Sequence, residues 1–411
     1  MSALEKLPLH SPLGGSGAER WMRCSGSVRL SHGVREEDGE DDTFSGPGHA
    51  AHAVAEACLV FAEEPWHLIG CKWDGVSIVG PDEPSDGAVE IDKTISDAVQ
   101  VYVDLVRVTH PDRNQGNSWV ERNFHCPQFH KYFYGRSDFT NYDETARILH
   151  VWDYKHGAGI VVEADHNPQL MYYACGMLEV FGLWTRVDLV VLHIVQPRGW
   201  HYEGPHRVWS TTPGDLMHWL MSELLPAMNL ALVSRETASG EHCRFCPARK
   251  RACPQLLKDV EEMEKLMEEF DKEGTAAPLT NEQVARFLDL GDVFKIALKA
   301  AEQTAFSRLQ SGNAIPGRKL ANAKVARTWK EGAEAELSER YGDAAYTTKE
   351  LLSPAKIEAL PEGKKYTERW AFKPPAGLVV VKGEDYRPAI NKEVKGMFTD
   401  VTKKGAKKNG N

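Results

Sequence analysis

Apolar and polar positions change period several times along the chain, and each change predicts an element. Ala50–Ala62 is an alanine-rich run with apolar residues every three or four positions, which predicts a helix. Ile91, Ile95, Val99, Val103 and Val106 predict a second helix over Glu90–His110. Ser118–His125 reads as a strand. Tyr134–Thr140 and Arg147–Tyr154 alternate in the same way around a polar Asn141-Tyr142-Asp143-Glu144 turn, the pattern of a β-hairpin. Asn167-Pro168 opens a helix that carries Gln169 and Tyr173 one turn apart. Val187–Val195 is nearly all apolar, as a buried central strand should be. Tyr202–Thr211 can add one more strand, and Pro213–Leu232 reads as an amphipathic helix. The fold class is α/β.

The flanks are less regular. Residues 1–20 are rich in Pro, Gly and Ser and read as extended or mobile, Glu36–Asp42 as a solvated acidic loop, and Cys71–Gly87 as turn-rich. Residues 256–311 form a helical segment, with Leu256–Phe270 and Asn281–Leu309 as helices and Thr280 as a cap. Residues 312–400 form a small α+β accessory region with elements at Gly317–Lys330, Thr347–Ala359 and Gly377–Val381. Residues 401–411 are a basic tail expected to be disordered.

Composition adds bounds. With 42% hydrophobic and 26% charged residues in 411, the chain has the make-up of an ordinary globular protein. It has no apolar run of about 18 residues to span a membrane and no secretory leader pattern, so a cytoplasmic location is the default expectation. Eight cysteines are too sparse for a disulfide framework and point to metal ligation. The net charge of −10 is uneven: residues 311–411 hold 20 Lys+Arg against 13 Asp+Glu, leaving −17 for the rest. A broad non-specific DNA-binding surface on the core is therefore disfavoured, whereas a local carboxylate site is not.

The hairpin carries the chemistry. Asp153 and Lys155 lie two apart on one strand and point the same way, and the neighbouring strand can bring Asp138 alongside. Two carboxylates and an ammonium suit metal-assisted phosphodiester hydrolysis; taken alone, Asp-x-Lys better suits a surface ion pair, with Asp138 as a turn residue. Gly135-Arg136-Ser137-Asp138, Asp153-Tyr154-Lys155 and Gln169-Leu170-Met171-Tyr172-Tyr173 together, in this order, resemble the RecB-like branch of the PD-(D/E)XK nucleases. Gly48 through Glu56 also resembles that branch's helix ahead of the hairpin.

The resemblance implies a restriction-endonuclease-like core over about residues 1–255, a mixed central sheet flanked by helices. It implies an Mg²⁺- or Mn²⁺-dependent deoxyribonuclease, most simply an exonuclease. His52, Asp138 and Asp153 would hold the metal, and Lys155 would position the attacking water. Glu56 would orient its neighbours, while Arg136, Gln169 and Tyr173 would meet the DNA backbone. Read from the residues alone, His52 also suits a packed helical position, and Glu121 could reach the site from its strand, although an outward-facing strand position suits it better.

Cys243-x₂-Cys246-x₆-Cys253 is a metal-binding spacing that lacks a fourth ligand, and Cys24 is the best candidate. One cysteine before the core and three after it resemble the iron–sulfur nucleases of CRISPR adaptation and of AddAB-type helicase–nucleases. That likeness implies a [4Fe–4S] cluster; spacing alone leaves Zn²⁺ open, with His242 able to replace a cysteine. Cys58, Cys71, Cys126 and Cys175 read as small packed residues.

Similar phage-encoded proteins suggest DNA recombination or replication, in the host cytoplasm. A single-strand annealing protein, a single-strand-binding protein or a helicase would be the partner, because no Gly-x-x-x-x-Gly-Lys-Ser/Thr motor motif is present. A non-cutting DNA-binding or scaffold module and a structural zinc protein are the rival readings. Arg327–Lys330 and Arg369–Lys373 set basic residues beside aromatics, which fits either nucleic-acid stacking or a small core with a charged rim.

Overall fold

The computed structural model follows the chain through α1 (Ala18–Arg23), α2 (Ser27–Ser31) and α3 (Asp42–Phe61). Three two-residue strands come next, β1 (Lys72–Trp73), β2 (Ile78–Val79) and β3 (Val89–Glu90), then α4 (Lys93–Thr109). The centre consists of β4 (Ser118–His125), β5 (Tyr134–Asp143), β6 (Ile148–Tyr154), α5 (Pro168–Val180), β7 (Leu189–Val195) and β8 (His206–Thr211). Helices α6 (Pro213–Trp219), α7 (Leu225–Val233), α8 (Pro254–Lys272) and α9 (Asn281–Gln310) follow. The described residues run from 7 to 318, without 9, 33–41, 84–86, 114–115, 251–252, 273–279, 311–312 and 317.

The chain divides into two units, residues 1–322 and 323–411. The acidic run up to residue 41, the accessory elements beyond residue 318, the Arg327 and Arg369 clusters and the tail lie outside the described residues.

The expected α/β architecture is present. Strands β4-β5-β6-β7-β8 form one mixed sheet, antiparallel except for the parallel β6–β7 pair. One face packs on α5, α1 and the α6–α7 region through Leu149, Val151, Tyr172 and Trp21. The other packs on α3 and α4 through Phe139, Trp152, Val54 and Val99. Helix α5 is buried almost throughout, and Asn167 caps it by accepting from the Gln169 and Leu170 amides. Its Gly176 is required by the close approach of β4: a Cβ there would run into the Phe124 ring.

Four expectations change. The N-terminal stretch is packed: Leu13, Ala18 and Trp21 are fully buried, and Trp21 Nε1 donates to the Gly14 carbonyl at 3.1 Å. Its glycines let the backbone approach: a Cβ at Gly15 would stand 2.7 Å from the Tyr173 ring. The hairpin turn lies later than expected. Strand β5 continues to Asp143 because Tyr142 is buried and Asn141 donates to Ser118 Oγ at 2.8 Å. Helix α3 begins at Asp42, so the Ser45–Gly48 stretch lies inside it, with Pro47 as an internal residue.

The helix expected over Pro213–Leu232 is broken by a π-helical turn, Leu220–Leu224, before Pro226, which has no N–H to continue the α ladder. This Pro213–Val233 stretch is the one among the described residues apolar enough to qualify as a membrane span. Leu216, Leu220, Leu224 and Met228 lie in the core at helical spacing, as in a packed helix.

Candidate functional site

The site forms where the sheet stops being regular. Strands β4 and β5 pair from Ser118↔Asn141 to His125↔Tyr134 in one register, but the rung that Glu121 and Asp138 would form is missing. Glu121 has φ +47°, a strained conformation for a residue with a side chain. The break lets consecutive residues face the same side. Val120 and Phe139 pack against the α3–α4 layer, while Glu121 and Asp138 turn to His52 on α3. Strands β5 and β6 likewise stop pairing at Phe139↔Trp152, one rung before Asp138 and Asp153 would meet. In the gap Asp138 Oδ2 accepts the Tyr154 amide at 2.8 Å.

His52 Nδ1 lies 3.5 Å from Glu121 Oε1 and 3.6 Å from Asp138 Oδ2. One ligand atom from each of the three falls within 4.8 Å of the others, a spacing that suits a single cation. Asp153 is almost fully buried. Its Oδ1 accepts from Gln169 Nε2 at 2.8 Å, and Lys155 Nζ lies 2.8 Å from its Oδ2 without an aligned hydrogen bond. Lys155 donates to Gln169 Oε1 at 2.8 Å, and Gln169 Nε2 also donates to Tyr173 Oη at 3.1 Å. Gln169 therefore fixes Asp153, Lys155 and Tyr173 together.

The electrostatics are those of anions held close together with too little water. Burial works against a charge on His52, but Asp138, Glu121 and Asp153 outweigh it and raise its pKa to about 9. Burial pushes Asp138 upward, and Glu121 adds to that. Asp153 rises to about 6 through burial and Asp138, against the pull of Lys155. Among the described residues, His52, Lys155 and Arg136 bring positive charge to these carboxylates, and a divalent cation would relieve the same repulsion.

The remaining expected residues have defined places. Glu56 does not join the central group; it bonds Arg136 Nη2 at 3.1 Å. Arg136 Nε also pairs with Glu121 Oε2 at 2.7 Å, so Arg136 braces Glu121 from the side away from His52.

Glu121 itself departs from the outward-facing expectation, its side chain being 9% exposed and turned inward. Alignment of Ser118–His125 antiparallel to Tyr134–Asn141 was the signal that could have revealed it, since this places Glu121 opposite Asp138. A second residue went unremarked in the sequence. Tyr102 on α4 is 1% exposed with an unpartnered hydroxyl, and Asp138, Glu121 and Asp153 add to burial in raising its pKa. It belongs to the apolar stripe of α4, where only the hydroxyl sets it apart.

The cysteines form a second centre. The peptide of Ala238 joins two of them: its amide donates to Cys24 Sγ at 3.5 Å and its carbonyl accepts from Cys243 Sγ at 3.9 Å. Gly26 N to Glu236 O at 2.8 Å and Ser25 Oγ to Ser234 Oγ at 2.8 Å tie the two chain segments together. Cys24 is close enough to feel Cys246 and Cys253, and Cys243 feels all three others. Burial raises the Cys24 thiol and pushes Cys243 up to about 11, a cost that a bound cation would offset. His242 Nε2 lies 3.0 Å from the Ala238 carbonyl. Cys58, Cys126 and Cys175 are buried, as expected of packed residues, and Cys71 is half-buried.

A family model described as "Protein of unknown function (DUF2800)" matches residues 10–388. The chain belongs to the DUF2800 family. The matched span of this DUF2800 protein contains the carboxylate centre, the four clustered cysteines and the helical segment, and it reaches beyond the residues described here.

Proposed function

We propose that this DUF2800 protein is a metal-dependent deoxyribonuclease with a RecB-like PD-(D/E)XK centre, acting on DNA ends. The observation that carries the reading is the convergence of His52, Glu121 and Asp138 within 4.8 Å, beside the Asp153–Lys155–Gln169 network. His52, Glu121 and Asp138 would hold Mg²⁺ or Mn²⁺, with Asp153 next to them. The metal would supply Lewis-acid polarisation of a phosphate oxygen and a more acidic bound water.

The protein's own groups complete the chemistry. Lys155, held by Asp153 and Gln169, would orient the attacking water and neutralise charge on the phosphorane-like transition state. Gln169 keeps the ammonium and carboxylate in fixed geometry. Tyr102 offers a buried donor without a partner among the described residues.

The cysteine centre would hold a [4Fe–4S] cluster. Thiolate-bound Zn²⁺ is the alternative occupant. Either would clasp the segment after α1 to the segment after α7.

The test is cleavage of end-labelled linear and circular DNA, single- and double-stranded, in Mg²⁺ or Mn²⁺, beside Lys155→Ala. Degradation of linear DNA alone, lost in the variant, supports the reading. Cleavage of circles removes the end-specific part. Metal-loaded protein that binds DNA without cutting it makes the protein a binding module instead.

A further inference from the structure

On the face of the sheet that α4 covers, the polar side chains of β6 all have partners. His150 Nδ1 meets His193 Nε2 at 3.0 Å, Trp152 Nε1 donates to His110 at 3.1 Å, and Tyr154 Oη lies 2.9 Å from His156 Nδ1. Tyr102, packed on them from α4, does not follow suit. Its ring lies 5.2 Å from that of Tyr154 and 6.5 Å from that of Trp152. Its hydroxyl is buried without a hydrogen-bond partner among the described residues. A phenylalanine would fill the same space with no orphan group, so packing alone does not account for the tyrosine.

The contacts of Tyr102 relate that hydroxyl to the carboxylate centre. Tyr102 and His52 both pack on the Tyr154 ring, at 5.2 and 5.5 Å, and the Tyr154 amide donates to Asp138 at 2.8 Å. Burial, then the charges of Asp138, Glu121 and Asp153, hold the phenol well above its ordinary pKa, so it keeps its proton. The same centre has a second buried orphan, Asp153 Oδ2, an acceptor with no aligned donor. A neutral hydroxyl and a carboxylate oxygen, both desolvated and both unsatisfied, thus accompany His52, Glu121 and Asp138.

The chemistry of a divalent cation accounts for the hydroxyl. Mg²⁺ takes about six ligands in near-octahedral geometry and gives up its waters reluctantly. His52, Glu121 and Asp138 each offer one ligand atom, so an ion held by them would keep waters, and those waters need acceptors inside the site. A phenol can accept from such a water while donating its own proton to a carboxylate.

We propose that Tyr102 is a positioning residue for the bound cation, its hydroxyl accepting from a water of the ion's hydration shell and donating to a carboxylate of the site. The inference rests on the metal-dependent part of the reading above and deepens it: α4, which supplies none of the ligands, helps to set the affinity for the ion.

The test is a Mn²⁺ titration followed by electron paramagnetic resonance, on full-length protein freed of Mg²⁺ and Mn²⁺, beside Tyr102→Phe. Melting temperatures of the metal-free proteins are measured in parallel. The substitution keeps the ring and removes one oxygen. Tyr102→Phe is expected to bind Mn²⁺ about tenfold more weakly. Its metal-free melting temperature should equal or exceed that of wild type, because the lost hydroxyl had no partner. Unchanged Mn²⁺ affinity refutes the role of Tyr102 and leaves the nuclease reading to the cleavage assay. Weaker binding together with a lower metal-free melting temperature also refutes it, since the hydroxyl then serves the core. If wild type binds Mn²⁺ but cuts no DNA, the nuclease reading fails by itself, and a tenfold loss in Tyr102→Phe still supports the role. If wild type binds no Mn²⁺, both fall together.

Discussion

Two sets of histidines lie against neighbouring aromatic residues of β6, in opposite electrostatic settings. His52 packs edge-on to Tyr154 at 5.5 Å, and carboxylates hold its pKa near 9. Two residues back, Trp152 stacks on His193 at 3.8 Å and donates to His110 at 3.1 Å. His150, His193 and His206 are linked there by 3.0 Å ring contacts. Burial lowers His110 and His150 to about 4 and, with the neighbouring histidines, holds His193 well below its ordinary value. The difference is strand pairing. Up to the Phe139↔Trp152 rung the ladder is closed and polar side chains must satisfy one another; beyond it the strands part and carboxylates fill the gap.

The sharpest break of this contrast removes the carboxylate side. Asp138→Ala or Lys155→Ala should reduce DNA cleavage by at least about 10³-fold with the circular dichroism spectrum unchanged, since the Trp152 side does not depend on either residue. A variant that keeps a tenth of the activity would place the chemistry elsewhere. Glu121→Gln should follow, weakening Mn²⁺ binding by about 10- to 100-fold in an electron paramagnetic resonance titration. In metal-free protein it should also lower the His52 pKa, read by NMR, because one of the anions that raise it is gone.

Acid titration tests the other side. Histidines held neutral have folded pKa values below the ordinary 6.5, so the unfolded state takes up protons first as the pH falls. Their contribution is complete above pH 6.5 and declines toward pH 4, which chemical denaturation over that range should show as a falling midpoint. His110→Gln should flatten the decline.

The smallest effect is expected at a histidine outside both sets. His242→Ala should leave absorbance near 400 nm in anaerobically purified protein unchanged, since its ring meets the Ala238 carbonyl and four cysteines already suffice. Cys24→Ser should remove that absorbance.

The α/β class, most element positions, and the Asp138, Asp153, Lys155 and Gln169 group were legible in the sequence, because side-chain alternation and helical spacing are local properties. Local spacing grouped Cys243, Cys246 and Cys253, and the need for a fourth ligand together with the resemblance to iron–sulfur nucleases added the distant Cys24. Glu121 was legible only as one of two alternatives, reaching the site or facing outward. A strand residue faces outward or inward according to backbone dihedrals, and only the missing rung opposite Asp138, with φ +47°, turns it to His52. The engagement of Arg136 by two glutamates, the burial of Trp21 and the orphan hydroxyl of Tyr102 depend on contacts between segments far apart in the chain. The sequence by itself determined which chemical groups are available and which elements carry them. Tertiary structure decided which of those groups share a desolvated space, because charge interactions depend on distance and burial, and neither is encoded in local spacing.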